Sequence, residues 1–582
     1  MILFKKTKII CTIGPASEDK NTLRTLISLG MDVARLNFSH GDYEVHGRRI
    51  ELIRKISQEL DKNVAILQDL QGPKIRVGKF ENDKIFLEDG QEFSLTPKEC
   101  IGNNKLAYVN YPYLLEDVKE GERILLDDGL IELKVKKIEK DKVVCIVIHG
   151  GELFSHKGVN FPDTELRVSA LTEKDKRDVL FGIEKKVDFI ALSFVKKAQD
   201  ILELKEFLEL YDARIPVIAK IEKKEAIQNF REILEVSDGI MVARGDLAVE
   251  VSNEDVPFLQ KKIIKETRLT GKPVITATQM LGSMVNNPTP TRAEVSDIAN
   301  AILDGTDAVM LSNETAIGKY PIESFKMMDK IARKVEETFP YESFLIPPYD
   351  ENITQSITYS ACEISRQIKA KAIITATHSG FTARQISKYR PSAPIFAITH
   401  FPEVQRRLNL SWGVIPLLTE VFYTTDEMFE KSIKILLQKG YIKSGDTVVI
   451  TAGIPMGISG MTNLIKVHVI SEIIGRGHGL GGETKIAKVS VAENEKEALS
   501  RTQEGDILII PSFSKELIPI LDKIQGLIIE NEKLPPELIS WRSKGLGIIL
   551  GTGKIRDKIS SGEIITLDPE RGVIYKGVIR TT

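Results

Sequence analysis

Short β-branched apolar runs alternate with amphipathic stretches through the first third and the middle of the chain. The runs are KIICTI (8–13), VARLNF (33–38), VAILQDL (64–70), FIALSFV (189–195), PVIAKIE (216–222), GIMVARGD (239–246), PVITATQM (273–280) and AVMLSNET (308–315). Helical patterns follow them, as in 44–60, 225–236 and 256–267. Continuous apolar strands alternating with helices predict a parallel sheet covered on both faces. Eight such units predict an α/β fold closed into a TIM (β/α)8 barrel. An open doubly wound sheet is the alternative that periodicity leaves open.

Between the third and fourth runs the pattern changes to short strands, with Asp-Gly pairs at 89–90 and 128–129 that suit hairpins. This predicts an inserted all-β domain at the C-terminal mouth of the barrel, where a lid would stand. Past residue 350 a second α/β pattern runs from AIITATHSG (372–380) through APIFAIT, VIPLLT, TVVITAG and LIKVHVI. GRGHGLGGE (475–483) reads as a Gly-rich linker, and 484–582 as a small β-rich domain. The expected domains are 1–71 and 168–345 for the barrel, 72–167 for the insert, 346–473 for the α/β domain and 474–582 for an extra C-terminal domain.

Barrel enzymes carry reactive groups on the C-terminal ends of their strands. Here those ends supply Arg35, Asn37, Ser39 and His40; then Asp69, with Lys74 and Arg76 beyond it; Ser193; Lys220 and Glu222; Arg244 and Asp246; Thr278 and Gln279; and Ser312 and Glu314. Residues two apart on a strand share a face. Lys220 and Glu222 therefore point the same way, and Arg244 and Asp246 have the same spacing, interrupted by Gly245. Carboxylates from adjacent strands suit a hard divalent ion such as Mg²⁺. Lys and Arg beside it suit a transferring phosphoryl group. For any one of these residues the plain reading is a rim salt bridge; polar ends on seven of eight strands favour a shared site.

The 80 Lys and Arg nearly balance 82 Asp and Glu, for a net charge of −2, so nothing points to nucleic acid. Any phosphate binding must come from a local site. The four cysteines, Cys11, Cys100, Cys145 and Cys362, match no CxxC or zinc spacing and read as buried thiols in a reducing compartment. MILFKKTKIICTIGP lacks a signal-peptide pattern. No run approaches the ~18 apolar residues of a membrane span. A soluble cytoplasmic protein is expected, with no membrane partner. Gly477-x-Gly479-x-x-Gly482 fits a dinucleotide pattern, but KIAKVSV after it does not read as a helix, and GIILGTGKI lacks P-loop spacing.

The segments TKIICTIGPAS, MDVARLNFSHG, DLQGPKIRVG, ALSFVKKAQD, AKIE, DGIMVARGDLAVE, TATQMLGSM, PTRAEVSDIANAILDGTDAVMLSNETAIGKYP and GDTVVITAGIPMGISGMTNLIKV resemble the pyruvate kinase family over about residues 5–470. The resemblance implies phosphoryl transfer between phosphoenolpyruvate and ADP, giving pyruvate and ATP in glycolysis. It implies that Arg35 and Lys220 contact the phosphoryl group, and that Glu222 and Asp246 hold Mg²⁺, with Mn²⁺ as an alternative. Backbone amides near Gly245 and Asp246, with the Thr278 hydroxyl, take the substrate carboxylate. Thr278 and Ser312 lie near the route of enolate protonation. Asn37, Phe38, Ser39, His40, Arg76 and Lys157 lie on the nucleotide side, and a homotetramer is implied. Lys220→Met is expected to abolish transfer with little effect on folding.

Two departures from the family pattern matter. Potassium-dependent members read Asp-Thr-Lys-Gly-Pro-Glu where this chain has Asp69-Leu70-Gln71-Gly72-Pro73-Lys74. Asn37, Ser39, Asp69 and the Leu70 carbonyl remain as a monovalent-cation set, but the Lys74 ammonium can stand in for K⁺ and would repel it. Activity without K⁺ is expected. Lys196 stands where Arg is usual, keeping charge but losing the bidentate fork.

THSGFTARQISKYRP (377–391) resembles the family's effector loop, with Thr375, Thr377, His378, Ser379, Gly380 and Thr382 as candidate phosphate contacts. An ordinary strand-to-helix turn is the alternative. Phe381 replaces the cation common in members activated by sugar bisphosphates, so a sugar or nucleoside monophosphate is the expected effector. The last hundred residues resemble the phosphohistidine domain of phosphoenolpyruvate-utilising enzymes, notably in GEIITLDPERGVIYKG, yet no histidine follows His478. A structural or assembly module is expected there. Two rivals share parts of this pattern: a metal-dependent aldolase or lyase on a related barrel, and a silent metabolite sensor.

Overall fold

A computed structural model gives the architecture, and the structure describes residues 4–348, 352–454 and 461–578. Residues 455–460 of the GIPMGISG motif lie outside the described residues. The chain divides into two compact units: residues 1–362, 375–421 and 452–463 form the first, and 363–374, 422–451 and 464–582 the second.

In the first unit eight parallel strands close into a barrel: β1 Lys8–Thr12, β2 Val33–Asn37, β3 Ala65–Asp69, β4 Phe189–Leu192, β5 Val217–Ile221, β6 Gly239–Ala243, β7 Val274–Ala277 and β8 Ala308–Leu311. Their order around the barrel follows the chain, and β1 pairs with β8 to close it. This settles the choice between a closed barrel and an open sheet. Alternate residues divide between two cores. Ile10, Val33, Leu67, Ile218, Met241 and Met310 fill the barrel interior. Ile9, Ala34, Ile66, Ala219, Val242 and Val309 pack outward against the helices. The period of two then aims Arg35, Asp69 and Lys220 inward at the C-terminal end.

The helices begin where capping chemistry places them. Thr172 and Asp175 form a capping box before helix Glu173–Glu184, as do Thr291 and Glu294 before helix Arg292–Leu303. The pattern at 225–236 reads as one helix, but the structure breaks it into Lys224–Gln228 and Phe230–Val236. At the break, Asn229 turns its side-chain amide to the Lys196 carbonyl, 2.9 Å away.

The stretch inserted between β3 and β4 is all-β with its own core, including Phe80, Phe93, Leu133 and Phe161. Six strands form one sheet in the order Val159–Asn160, Arg123–Leu126, Ile131–Ile138, Val143–His149, Glu92–Thr96, Leu106–Tyr108. Asp128-Gly129 makes the expected hairpin, joining Arg123–Leu126 to Ile131–Ile138 with positive φ at both residues. Asp89-Gly90 does not. It joins Lys84–Leu87, which pairs with Gly151–Phe154, to Glu92–Thr96, which pairs with Val143–His149.

The second unit contains helix Thr425–Gln438 and an eight-stranded sheet. Strands Lys485–Val491, Ile507–Ile510, Gly526–Ile529 and Gly547–Leu550 run parallel, and the flanking strands pair antiparallel. Residues 485–491 are a strand, so the Gly477-x-Gly479-x-x-Gly482 pattern opens no helix. The Gly-rich stretch is not a linker. Glu472–Arg476 and His478–Gly479 are the two edges of this sheet, and the first crosses the expected boundary at 473/474. Glycine is needed there because a Cβ on Gly479 would lie 1.9 Å from the Pro569 carbonyl oxygen. No described helix is long and apolar enough to cross a membrane.

Candidate active site at the barrel mouth

Lys220 is the centre of the mouth. Its ammonium lies 2.8 Å from Glu222 Oε1 and 3.2 Å from Asp69 Oδ1, and donates to Ser193 Oγ at 2.7 Å. Arg35 sits beside it, donating from Nε to Asp69 Oδ2 at 2.7 Å and from Nη1 to Thr12 Oγ1 at 2.8 Å. Burial would depress the Lys220 pKa, but Asp69 and Glu222 outweigh burial and hold it above the ordinary lysine value. Burial would likewise raise Asp69; Lys220 and Arg35 outweigh it and hold that carboxyl below its usual range. The Lys220 ammonium and the Arg35 guanidinium therefore lie side by side, both paired with Asp69.

Glu222 comes from the residue after β5, and its Oε2 accepts the Phe194 N–H at 2.8 Å. Phe194 adopts φ +56° to aim that amide inward. Burial is the largest influence on Glu222 and pushes its pKa up; Lys220 opposes this, and Asp246 adds repulsion. Asp246 lies in the first turn of helix Arg244–Glu250 and makes no ion pair among the described residues. The two carboxylates are thus close enough for Asp246 to act on Glu222, whose other oxygen lies beside the Lys220 ammonium. No three His, Cys, Asp or Glu side chains among the described residues cluster as a self-sufficient metal site. Two carboxylates completed by substrate oxygens and water are the set that Mg²⁺ uses, so the donors fit that ion.

Strand β6 ends at Ala243, and Arg244 already begins a helix. Arg244 therefore does not share a strand face with Asp246. Its buried guanidinium instead forks, Nη1 donating to both Asp297 oxygens, at 2.8 and 2.6 Å, and Nη2 to the Thr278 carbonyl at 2.8 Å and the Gln279 carbonyl at 3.3 Å. Thr278 and Gln279 both have positive φ, +65° and +53°, a costly conformation for a β-branched residue. Arg244 holds that turn, and with it the Thr278 hydroxyl, which accepts the Gly245 N–H at 2.8 Å. Arg244→Met is expected to lower kcat/KM about 100-fold through misplacement of Thr278. Arg244→Lys should recover only part of that, because an ammonium cannot fork; steady-state kinetics on both variants check this.

On β8's end, Ser312 Oγ is buried without a hydrogen-bond partner among the described residues. Glu314 is committed: its oxygens accept the N–H groups of Leu281 at 2.9 Å and Ser312 at 2.7 Å.

The nucleotide-side set divides. Asn37 Oδ1 accepts the Ser39 N–H at 3.1 Å, shaping the loop on which His40 is exposed. Burial, then the charges of Arg76, Lys74 and Arg35, lower the His40 pKa, so these cations surround one space. Arg76 donates to the His156 carbonyl at 2.8 Å, and Lys157 pairs with Asp127 at 2.8 Å. Phe38 does not join them. Its ring is buried and stacked on His46 with centroids 4.1 Å apart, and its carbonyl accepts from Lys174 at 2.8 Å. It builds the wall, because an aromatic ring gains more from burial than from the wet loop.

Part of the monovalent-cation set is already engaged, although Asp69 Oδ1 has no hydrogen-bond partner among the described residues. Asp69 is held by Arg35 and Lys220, and the Leu70 carbonyl accepts from Ser193 Oγ at 2.7 Å. Lys196 uses its ammonium on the chain returning from the insert, donating to the Leu166 and Val168 carbonyls, each at 2.8 Å. A narrow cavity of about 40 Å³ separates Asp246 and Phe194 on the barrel from Gly158 and Asn160 on the insert.

Away from the mouth, the candidate effector loop runs into helix Phe381–Ser387 through Gly380 at φ +79°. Thr375, Thr377 and Thr382 are buried, and the Thr382 hydroxyl lies 2.8 Å from that of Thr462. His378 packs on the edge of Phe401, centroids 4.4 Å apart.

Residues 4–325 match the family described as pyruvate kinase, barrel domain, and residues 355–468 match pyruvate kinase, alpha/beta domain. The chain belongs to the pyruvate kinase family. It is 46% identical to "Pyruvate kinase" of Geobacillus stearothermophilus over 98% of this chain and 99% of the relative. It is 46% identical to "Pyruvate kinase 2" of a Synechocystis strain, over 99% and 98%. It is 44% identical to "Pyruvate kinase" of Staphylococcus aureus, over 98% and 99%. Membership removes the aldolase or lyase rival. The two family matches end at residue 468, yet these relatives run almost the full length, so the family in this branch shares the C-terminal stretch.

Ser193, a strand-end candidate in the sequence, supports Lys220; Thr12 and Asp297 also support the site but do not stand out in sequence. Ser193 ends a strand like its neighbours, but Asp297 is 53 residues from Arg244, beyond any local pattern.

Proposed function

We propose that this chain transfers the phosphoryl group of phosphoenolpyruvate to ADP, giving pyruvate and ATP in glycolysis. The observation that carries the reading is the Lys220 ammonium set between Asp69 and Glu222, with Arg35 beside it and uncommitted Asp246 opposite Glu222. Lys220 and Arg35 bind the phosphoryl oxygens and stabilise the charge that spreads over them during transfer. Glu222 and Asp246 would hold Mg²⁺, or Mn²⁺ in its place, which when bound supplies further neutralisation of that charge. The Asp246 amide and Thr278 hydroxyl orient the substrate carboxylate, and Gly245 lets it approach without a side chain in the way. Thr278 and the unpartnered Ser312 hydroxyl lie on the proton's route to the enolate. Asn37, Ser39, His40, Arg76 and Lys157 face the nucleotide, and the inserted domain closes over it to exclude water.

Lys74 takes the place of K⁺ in this reading, supported by the committed state of Asp69 and the Leu70 carbonyl. A coupled assay for ADP-dependent pyruvate formation tests the function; no pyruvate from phosphoenolpyruvate and ADP would refute it. The same assay in buffer free of Na⁺ and K⁺ should retain near-full turnover, and Lys74→Glu should make turnover K⁺-dependent. Strong K⁺ activation of the unaltered chain would contradict the role given to Lys74.

The loop 375–382 is proposed to receive the phosphate of a sugar or nucleoside monophosphate, and the working form is proposed to be a homotetramer. Residues 474–582 are proposed as an assembly module resembling a phosphohistidine domain; without a histidine after His478 it has no relay chemistry.

A further inference from the structure

We propose that Glu250 is a positioning residue whose carboxylate latches the inserted domain onto the two elements that carry Glu222 and Asp246. Glu250 Oε1 accepts from Lys223 Nζ at 2.6 Å and from Asn160 Nδ2 at 2.9 Å. The three residues come from three places. Lys223 directly follows Glu222 at the end of β5. Glu250 closes helix Arg244–Glu250, whose first turn bears Asp246. Asn160 belongs to the insert's strand Val159–Asn160, which pairs with Arg123–Leu126. One oxygen atom therefore joins both acidic elements of the site to the lid.

The chemistry explains why this contact reports lid position. Glu250 and Lys223 are 5% and 8% exposed, so the carboxylate is poorly hydrated and depends on its protein donors. Lys223 supplies one donor from the barrel whatever the lid does, and it is steadied by lying over the Phe194 ring, 6.0 Å from the centroid. The second donor comes only from the insert, and only when Asn160 reaches down to the mouth. A neutral amide donating to a charged carboxylate makes a charge-assisted bond, stronger than an amide–amide contact. Opening the lid strips Glu250 of that bond, and closing it seats the insert on the carboxylate that Lys223 already holds against the end of β5. Lid closure therefore completes the contacts of the helix that carries Asp246. Lys196, whose ammonium holds the Leu166 and Val168 carbonyls, ties down the chain that returns from the insert to the barrel.

The activity part of the test rests on the phosphoryl-transfer reading; the lid part does not. Full-length chain carrying a fluorophore pair, one on the insert and one on the barrel, measures the closed fraction by energy transfer. Asn160→Ala should lower that fraction and raise the KM for ADP about tenfold, with a smaller change in kcat, as expected for loss of one bond to a charged group. Asn160→Asp should open the lid further, by setting two carboxylates against each other. The pair Lys223→Met with Glu250→Gln removes both charges but keeps an oxygen for Asn160, so it should close less than the unaltered chain, with an amide–amide bond in place of the charge-assisted one, but more than Lys223→Met with Glu250→Ala. A closed fraction unchanged in Asn160→Ala and Asn160→Asp overturns the proposal, as does a fall in melting temperature without any change in lid position or in the KM for ADP. An altered closed fraction in a chain that forms no pyruvate would sustain the latch and refute only the reaction.

Discussion

Lys220→Met is expected to lower kcat by about 10³- to 10⁵-fold, the range for removing a cation that stabilises a transferring phosphoryl group. That corresponds to roughly 4–7 kcal/mol of transition-state stabilisation. The KM for phosphoenolpyruvate should change far less, because Arg35 still offers a cation to the ground state. Lys220→Arg should not restore the rate. The ammonium is seated by Asp69, Glu222 and Ser193 within 3.2 Å, and a planar fork cannot take those three directions at once. The surroundings also correct the expectation of little effect on folding. Methionine would leave Asp69 with Arg35 alone and Glu222 with no cation, both carboxylates buried. Removing one partner of a buried pair costs about 3–5 kcal/mol, so the melting temperature should fall as well. Uptake of a proton by Glu222, whose pKa burial already raises, would offset part of that loss. Rapid-quench kinetics and thermal unfolding separate the two effects. A variant with normal turnover would remove Lys220 from its assigned role.

Asp246→Asn is expected to raise the metal concentration needed for half-maximal rate by about 100-fold or more and to cost several kcal/mol in the transition state. Glu222→Gln should do the same to the rate and cost some stability as well, since it takes a buried carboxylate from the Lys220 ammonium. It replaces a carboxylate that burial and Asp246 both disfavour, and its amide oxygen can still accept the Phe194 N–H. The contrast with Lys220→Met is the diagnostic. Excess metal should partly rescue both acidic-residue variants and should not rescue Lys220→Met. Metal titrations of initial rate decide it, and equal insensitivity to metal in all three variants would count against a shared ion.

The barrel was legible because its strands are buried on both faces and appear as uninterrupted apolar runs. The shared face of Lys220 and Glu222 followed from a period of two, and the inward position of Ile218 fixes which face it is. Arg244 escaped the same rule because β6 stops at Ala243, and a helix turns the guanidinium toward Asp297. Phe38 was misplaced by its neighbours: the loop that carries Ser39 and His40 is wet, but an aromatic ring at its root packs inward on His46. Asp89-Gly90 carried the same turn chemistry as Asp128-Gly129, yet only long-range pairing decides whether the flanking strands are partners. Glycines at 477 and 479 read as a linker because sequence cannot distinguish a flexible glycine from one whose Cβ would strike a carbonyl oxygen, at 2.3 and 1.9 Å respectively. The Glu250 latch lay beyond reach for a similar reason, since its donors are 27 and 90 residues distant.

The convergence of two acidic groups and one ammonium on a single divalent ion is tested most directly by anomalous diffraction from crystals grown with Mn²⁺ and phosphoenolpyruvate. One peak should appear at the barrel mouth, about 2.0–2.3 Å from carboxylate oxygens of both Glu222 and Asp246, with the Lys220 ammonium on the phosphate that the ion shares. A peak bound to neither carboxylate, or phosphate held out of reach of Lys220, would contradict the mechanism.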